Sequence, residues 1–198
     1  IAKMIHGDDV PERYLQLAAS VLADAGNFND LERMLSKVTN QSNLIWSYYR
    51  SLVELNNGKQ VLLPENLTNR CSEEVIILWG KLLLKSGAFD ELEELVSNPE
   101  HESVDMWNLR ARVFMLTEHW EKSLDAALQS AGLLFFQPAI HGIAAVSFSK
   151  LGMHDEAKTA KALQRKMLLD EHDETLFIVT GPPRSGTSMA MQLLEACG

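Results

Sequence analysis

Apolar positions in this chain recur at helical spacing over most of its length. Leu15, Ala18, Ala19 and Leu22 fall at i, i+3, i+4 and i+7, along one face of a helix. The spacing returns at Ile76, Trp79, Gly80 and Leu83, at Trp107, Arg110, Ala111 and Phe114, and at His141, Ala144, Ala145 and Phe148. A short marker follows each row. Gly26-Asn27-Phe28-Asn29-Asp30-Leu31-Glu32 is echoed by Gly87-Ala88-Phe89-Asp90-Glu91-Leu92-Glu93 and by Gly152-Met153-His154-Asp155-Glu156-Ala157. Glu118-His119-Trp120-Glu121-Lys122-Ser123 is a further copy without its glycine. The last three markers are 31 and 34 residues apart, and the first two are 61 apart, which leaves room for one degenerate unit near Asn57. Such a period predicts about five stacked helical hairpins.

Each marker has a mechanical reading. Its glycine ends the first helix of the pair in a left-handed cap. Asn29, Asp90 or Asp155 then caps the second, with Glu32 and Glu93 closing capping boxes. The small third residue of each row (Ala19, Gly80, Ala111, Ala145) allows close helix–helix approach. The unit from Ser42 to Arg70 is eroded. Trp46, Tyr49 and Val53 support its first helix, but Pro64 leaves little room for a second. All six prolines, at 11, 64, 99, 138, 182 and 183, fall where a helix is expected to start or stop.

These units resemble the tetratricopeptide repeat, W-x2-L-G-x2-Y followed by G-x-Y-x2-A, with Trp107, Phe114, Trp120, Gly80, Gly152 and Ala157 on its positions. The resemblance implies an all-α solenoid whose first helices line a concave groove. Carried over by position, Lys81, Lys85, Asn108 and Arg112 point into it and would hold an acidic or carboxylate-ended protein segment. The plainer reading of the same residues is a solvated helix face.

The pattern changes after Asp170. Leu176 to Val179 reads as a buried strand, Gly181-Pro182-Pro183-Arg184-Ser185-Gly186 as a turn, and Met189 to Ala196 as a helix capped by Thr187 and Ser188. A strand, a glycine loop and a helix N-terminus form a phosphate cradle. Gly181, Gly186 and Ser188 fit the P-loop spacing, but Thr187 stands in the lysine slot, so Arg184 is the nearest cation. Pro183-Arg184-Ser185-Gly186-Thr187-Ser188 resembles the 5′-phosphosulfate loop of sulfotransferases. That resemblance implies that in a longer parent Arg184, Ser185, Gly186, Thr187 and Ser188 hold 3′-phosphoadenosine-5′-phosphosulfate (PAPS), with none bound tightly by this chain alone. No catalytic base is identified, His172 reads as a solvated linker histidine, and the second family motif, for the 3′-phosphate, is absent from the sequence.

The expected architecture is therefore a helical repeat domain over 1–170, a linker at 171–174, and the start of a sulfotransferase-like α/β domain over 175–198. In a longer parent the repeats would position the acceptor, and the 198-residue chain alone is expected to be inactive. Two other readings fit the same residues. One is a repeat scaffold without catalysis, and the other is the repeat region of an alkaline-phosphatase-like enzyme.

Composition narrows the partners. The net charge of −9 argues against nucleic acid or an anionic membrane, and no apolar run approaches the length of a membrane span. Cys71 and Cys197 are unpatterned, which reads as a reduced, cytoplasmic chain. Histidines 6, 101, 119, 141 and 154 lack metal-ligand spacing, so no metal is expected.

Overall fold

The computed structural model describes residues 11–38 and 43–170. Among these, nine helices and no strand are present. They are α1 (Glu12–Asp24), α2 (Phe28–Leu35), α3 (Leu44–Asn56), α4 (Glu73–Ser86), α5 (Phe89–Leu95), α6 (Val104–Leu116), α7 (Trp120–Leu133), α8 (Pro138–Lys150) and α9 (His154–Asp170). Four hairpins pair α1 with α2, α4 with α5, α6 with α7 and α8 with α9. Only α3 lacks a second helix. Residues 57–72, which contain Pro64, form turns, and α3 packs directly on α4.

The five first helices share one stop signal. Each is followed by a residue in the left-handed region: Gly26 (φ 67°), Gly58 (φ 76°), Gly87 (φ 80°), Glu118 (φ 61°) and Gly152 (φ 79°). The next amide reaches back five residues to the helix, as in Asn27 to Leu22, Ala88 to Leu83, His119 to Phe114 and Met153 to Phe148. This closes a Schellman-type turn and satisfies a terminal carbonyl. Glu118 takes the same backbone in the unit that lacks its glycine.

The turn is tighter than the sequence reading allowed. The second helices begin at Phe28, Phe89, Trp120 and His154, so Asn27, Ala88 and His119 are the N-cap residues of the first three. Asn29, Asp90 and Asp155 do not cap; they lie inside the first turn, where Asp90 and Asp155, like Asp30 of α2, complement the helix dipole. The capping boxes assigned to Glu32 and Glu93 are likewise not formed. Asn27 Oδ1 accepts the Asp30 amide at 3.4 Å, and Glu93 turns to His119 (3.2 Å) and Lys122 (3.4 Å) near the start of α7.

Consecutive first helices touch: α1 with α3, α3 with α4, α4 with α6, and α6 with α8. Buried apolar side chains from α1 to α6 form one cluster, and Ala111, Ala126, Ala127, Ile140, Ile143 and Ala144 form a second between α6, α7 and α8. Trp46 and Trp79 are fully buried, and each indole N–H reaches the start of the preceding first helix. Trp46 donates to Glu12 Oε1 at 2.8 Å, and Trp79 donates to the Leu44 carbonyl at 3.1 Å. Trp107, by contrast, is only half-buried.

Candidate interaction surface

The first helices lie side by side, so their outward positions form one continuous face. On α4, Lys81 and Lys85 are exposed one turn apart, and on α6 Arg112 is exposed at the position equivalent to Lys81. None of the three makes an ion pair among the described residues. Exposed Leu116 and Val146 add apolar surface beside them, on α6 and α8.

Asn108 does not belong to that free surface. Its Oδ1 accepts the Ser130 hydroxyl at 2.6 Å, and its Nδ2 donates to Gln137 Oε1 at 2.8 Å. Gln137 in turn donates to Ser130 Oγ at 3.0 Å. The amide thus joins α6 to α7 and to the turn before α8, and both of its ends are used. A helical offset from the apolar row places a residue on a face, but it does not say whether a polar neighbour waits there.

Arg110 occupies an apolar-row position and yet is a cation, 5% exposed. Its Nε donates to the Val96 carbonyl at 2.9 Å and Nη2 donates to the Asn98 carbonyl, while the guanidinium lies 4.5 Å from the centre of the Trp107 ring. Burial pushes its pKa down, and the Glu73 and Glu102 carboxylates pull the other way. The fork holds the α5–α6 loop in place, a structural role that the row itself did not announce.

Two further surfaces lie toward the α9 end. One is a cleft of about 520 Å³ between α7, α8 and α9, with Ala127, Ala131 and Ala144 in its lining and exposed Phe135 at its side. The other is a groove of about 640 Å³ between α8 and α9, on which three lysines converge: Lys150, Lys158 and Lys161. No group of histidine, cysteine and acidic side chains among the described residues could hold a metal ion. No helix among them is long and apolar enough to cross a membrane. The loop residues Arg184, Ser185, Gly186, Thr187 and Ser188, the 171–174 linker and the 175–198 segment lie outside the described residues.

No family model and no curated protein matches the sequence. Solved structures do match. The chain is similar to MamA of AMB-1, with a TM-score of 0.56 at 14% identity over 80% of this chain and 99% of that one. MamA of MSR-1 gives a TM-score of 0.59 at 15% identity, over 82% and 99%. At this identity the likeness concerns the fold alone. With the recurrent hairpins and left-handed turns, it defines the class: a tetratricopeptide-like, all-helical solenoid.

Proposed function

We propose that the chain is a protein-interaction scaffold that presents the outward face of its first helices to an acidic protein segment. The observation that carries this reading is the set of exposed cations, Lys81, Lys85 and Arg112, left without ion-pair partners on adjacent helices of a chain with net charge −9. A long cation held on a rigid helix gains from a carboxylate brought to it, and two helices in fixed register set the spacing between contacts. A rim charge chiefly steers and selects its partner. The test is a peptide array graded in net charge, probed with the wild type and with the Lys81→Ala/Arg112→Ala variant. Acidic peptides should be retained by the wild type and lost, by tenfold or more in affinity, by the variant. Equal profiles would remove this face from the function.

A second reading has its own support in the sequence. Pro183 to Ser188 carries the residue types of a phosphosulfate loop, and Arg184 supplies the cation that the missing P-loop lysine would have given. On this reading the scaffold serves a PAPS-dependent sulfotransferase, and Arg184, Ser185, Gly186, Thr187 and Ser188 hold the 5′ end of the donor. Calorimetric titration of PAPS into the longer parent that this reading supposes, and into its Arg184→Ala variant, tests it. Heat that vanishes in the variant favours the reading, and heat that persists unchanged removes the loop from donor binding.

A further inference from the structure

The groove between α8 and α9 repeats, one unit later, the socket in which α8 itself sits, and no described helix fills it. Shifting by the 34-residue repeat, Ala145 of α8 corresponds to Ala111 of α6, while Ala157, Lys161 and Gln164 of α9 correspond to Ser123, Ala127 and Ser130 of α7. In the α6–α7 hairpin all four of these earlier positions are buried, and what covers them is α8. Ser147 of α8 donates to Ser123 Oγ at 3.0 Å, and Ile140, Ile143 and Ala144 pack on Ala111 and Ala127. One unit later the same groove is formed, with small residues still on its floor. Among the described residues no further helix lies in it.

Its lining has changed in a way that selects the occupant. Where the earlier unit offers Leu124 and Ala127, this one offers Lys158 and Lys161, and where it offers Leu116, this one offers Lys150. An apolar repeat helix laid there would cover the ammonium groups of Lys158 and Lys161 with a surface that offers them no carboxylate, which is costly. A helix with carboxylates on the buried side would pair them instead. No acid among the described residues lines the groove; Asp155, which lines the neighbouring cleft, lies 3.3 Å from Lys158 in a pair exposed on both sides. Lys161 has no ion-pair partner among the described residues, Lys150 lies 5.3 Å from the centre of the Trp120 ring, and His154 closes one end. In a chain of net charge −9, this is a local reversal of sign.

We propose that the α8–α9 groove binds an acidic amphipathic helix of a partner protein, seated as the next first helix of the stack would be, with its carboxylates on Lys158 and Lys161. The inference rests on the scaffold reading but not on the Lys81, Lys85 and Arg112 face, so the two can fail separately.

The test uses fluorescence anisotropy on the whole chain with three labelled probes. These are an alanine-rich helical peptide with glutamates at i, i+4 and i+7, its glutamine counterpart, and a proline-interrupted peptide of the same composition as the first. The glutamate helix should bind at least tenfold more tightly than either of the others. Lys158→Glu/Lys161→Glu should abolish that preference and bind a lysine-faced helix instead. Ala157→Trp, which fills the floor without changing charge, should weaken the glutamate helix at least tenfold, with helicity by circular dichroism unchanged. Lys81→Ala/Arg112→Ala should leave it within twofold. Absence of binding by the wild type, equal binding of the helical and interrupted peptides, or indifference to the lysine reversal would each overturn the proposal. So would polyphosphate or RNA binding more tightly than the glutamate helix.

Discussion

Gly80 of α4 faces the side chain of Leu109 of α6 with no room for a Cβ: one placed on residue 80 would clash with Leu109 Cδ2, with Cδ1 at 3.1 Å and Cγ at 3.2 Å. The third position of the apolar row therefore sets how closely neighbouring first helices approach. Gly80→Ala gains about 1 kcal/mol of helix propensity. Against that, Leu109 is buried and must shift within a packed core, at a cost of about 1–3 kcal/mol. A net loss is expected in chemical denaturation. Adding Leu109→Ala should recover part of the Gly80→Ala penalty, and strict additivity of the two changes would refute the interlock.

Glu118 is the one non-glycine residue among those described that holds a positive φ, and it stands where the other units place glycine. A left-handed backbone costs an L-residue roughly 1 kcal/mol that glycine does not incur. Glu118→Gly should therefore raise the melting temperature, although it adds no contact and removes a side chain. Glu118→Val should lower it. A Glu118→Gly protein no more stable than wild type would mean that the Glu118 side chain repays its strain.

Much of this fold was legible because the repeat writes its turns in local chemistry. Gly26, Gly87 and Gly152 mark where first helices end; Pro64 left little room for a helix after α3, yet the period alone predicts about five hairpins where the described residues form four and a lone α3. The starts of the second helices were misplaced by two residues. An acid in the first turn and an acid at the N-cap look alike in sequence, and only the turn length separates them. The candidate surface was half legible. Lys81, Lys85 and Arg112 emerged exposed, but Asn108 is bound by Gln137 and Ser130, which no periodicity links to it. Arg110 escaped for a similar reason, since its acceptors belong to the non-repeating loop after α5. The α8–α9 groove is invisible in sequence, because it depends on which repeat positions no other described helix covers.

The tryptophans offer a graded test of the stacking. Trp79 is fully buried and latched to Leu44, so Trp79→Ala should cost about 3–5 kcal/mol. Trp107 is half-buried at the edge of the second cluster, with Arg110 over its ring, so Trp107→Ala should cost distinctly less. Denaturant midpoints measured on both variants give the order. A larger loss at Trp107 would contradict the burial described here.

Arg110 provides the sharpest test of how the α5–α6 loop is held. Its guanidinium reaches two carbonyls at once, from Val96 and Asn98, and Asn98 carries the hold onward through a 2.9 Å bond from its Nδ2 to the Asn69 carbonyl. A lysine keeps the charge but presents one compact ammonium, which cannot span both acceptors or lie flat against Trp107. Arg110→Lys should therefore leave at least one buried acceptor unpaired and destabilise the chain by about 1–3 kcal/mol. Arg110→Met retains the packing of the stem and removes the charge, so it should free both carbonyls and also leave the Glu73 and Glu102 carboxylates without their cation. The distinguishing measurement is amide hydrogen exchange. In Arg110→Lys, protection should fall first at residues 96–103 and in the 66–72 turns tied to them through Asn69, while α8 and α9 keep theirs. Loss spread evenly over all the helices would show that Arg110 supports the stack as a whole, and would overturn the local role assigned to its fork.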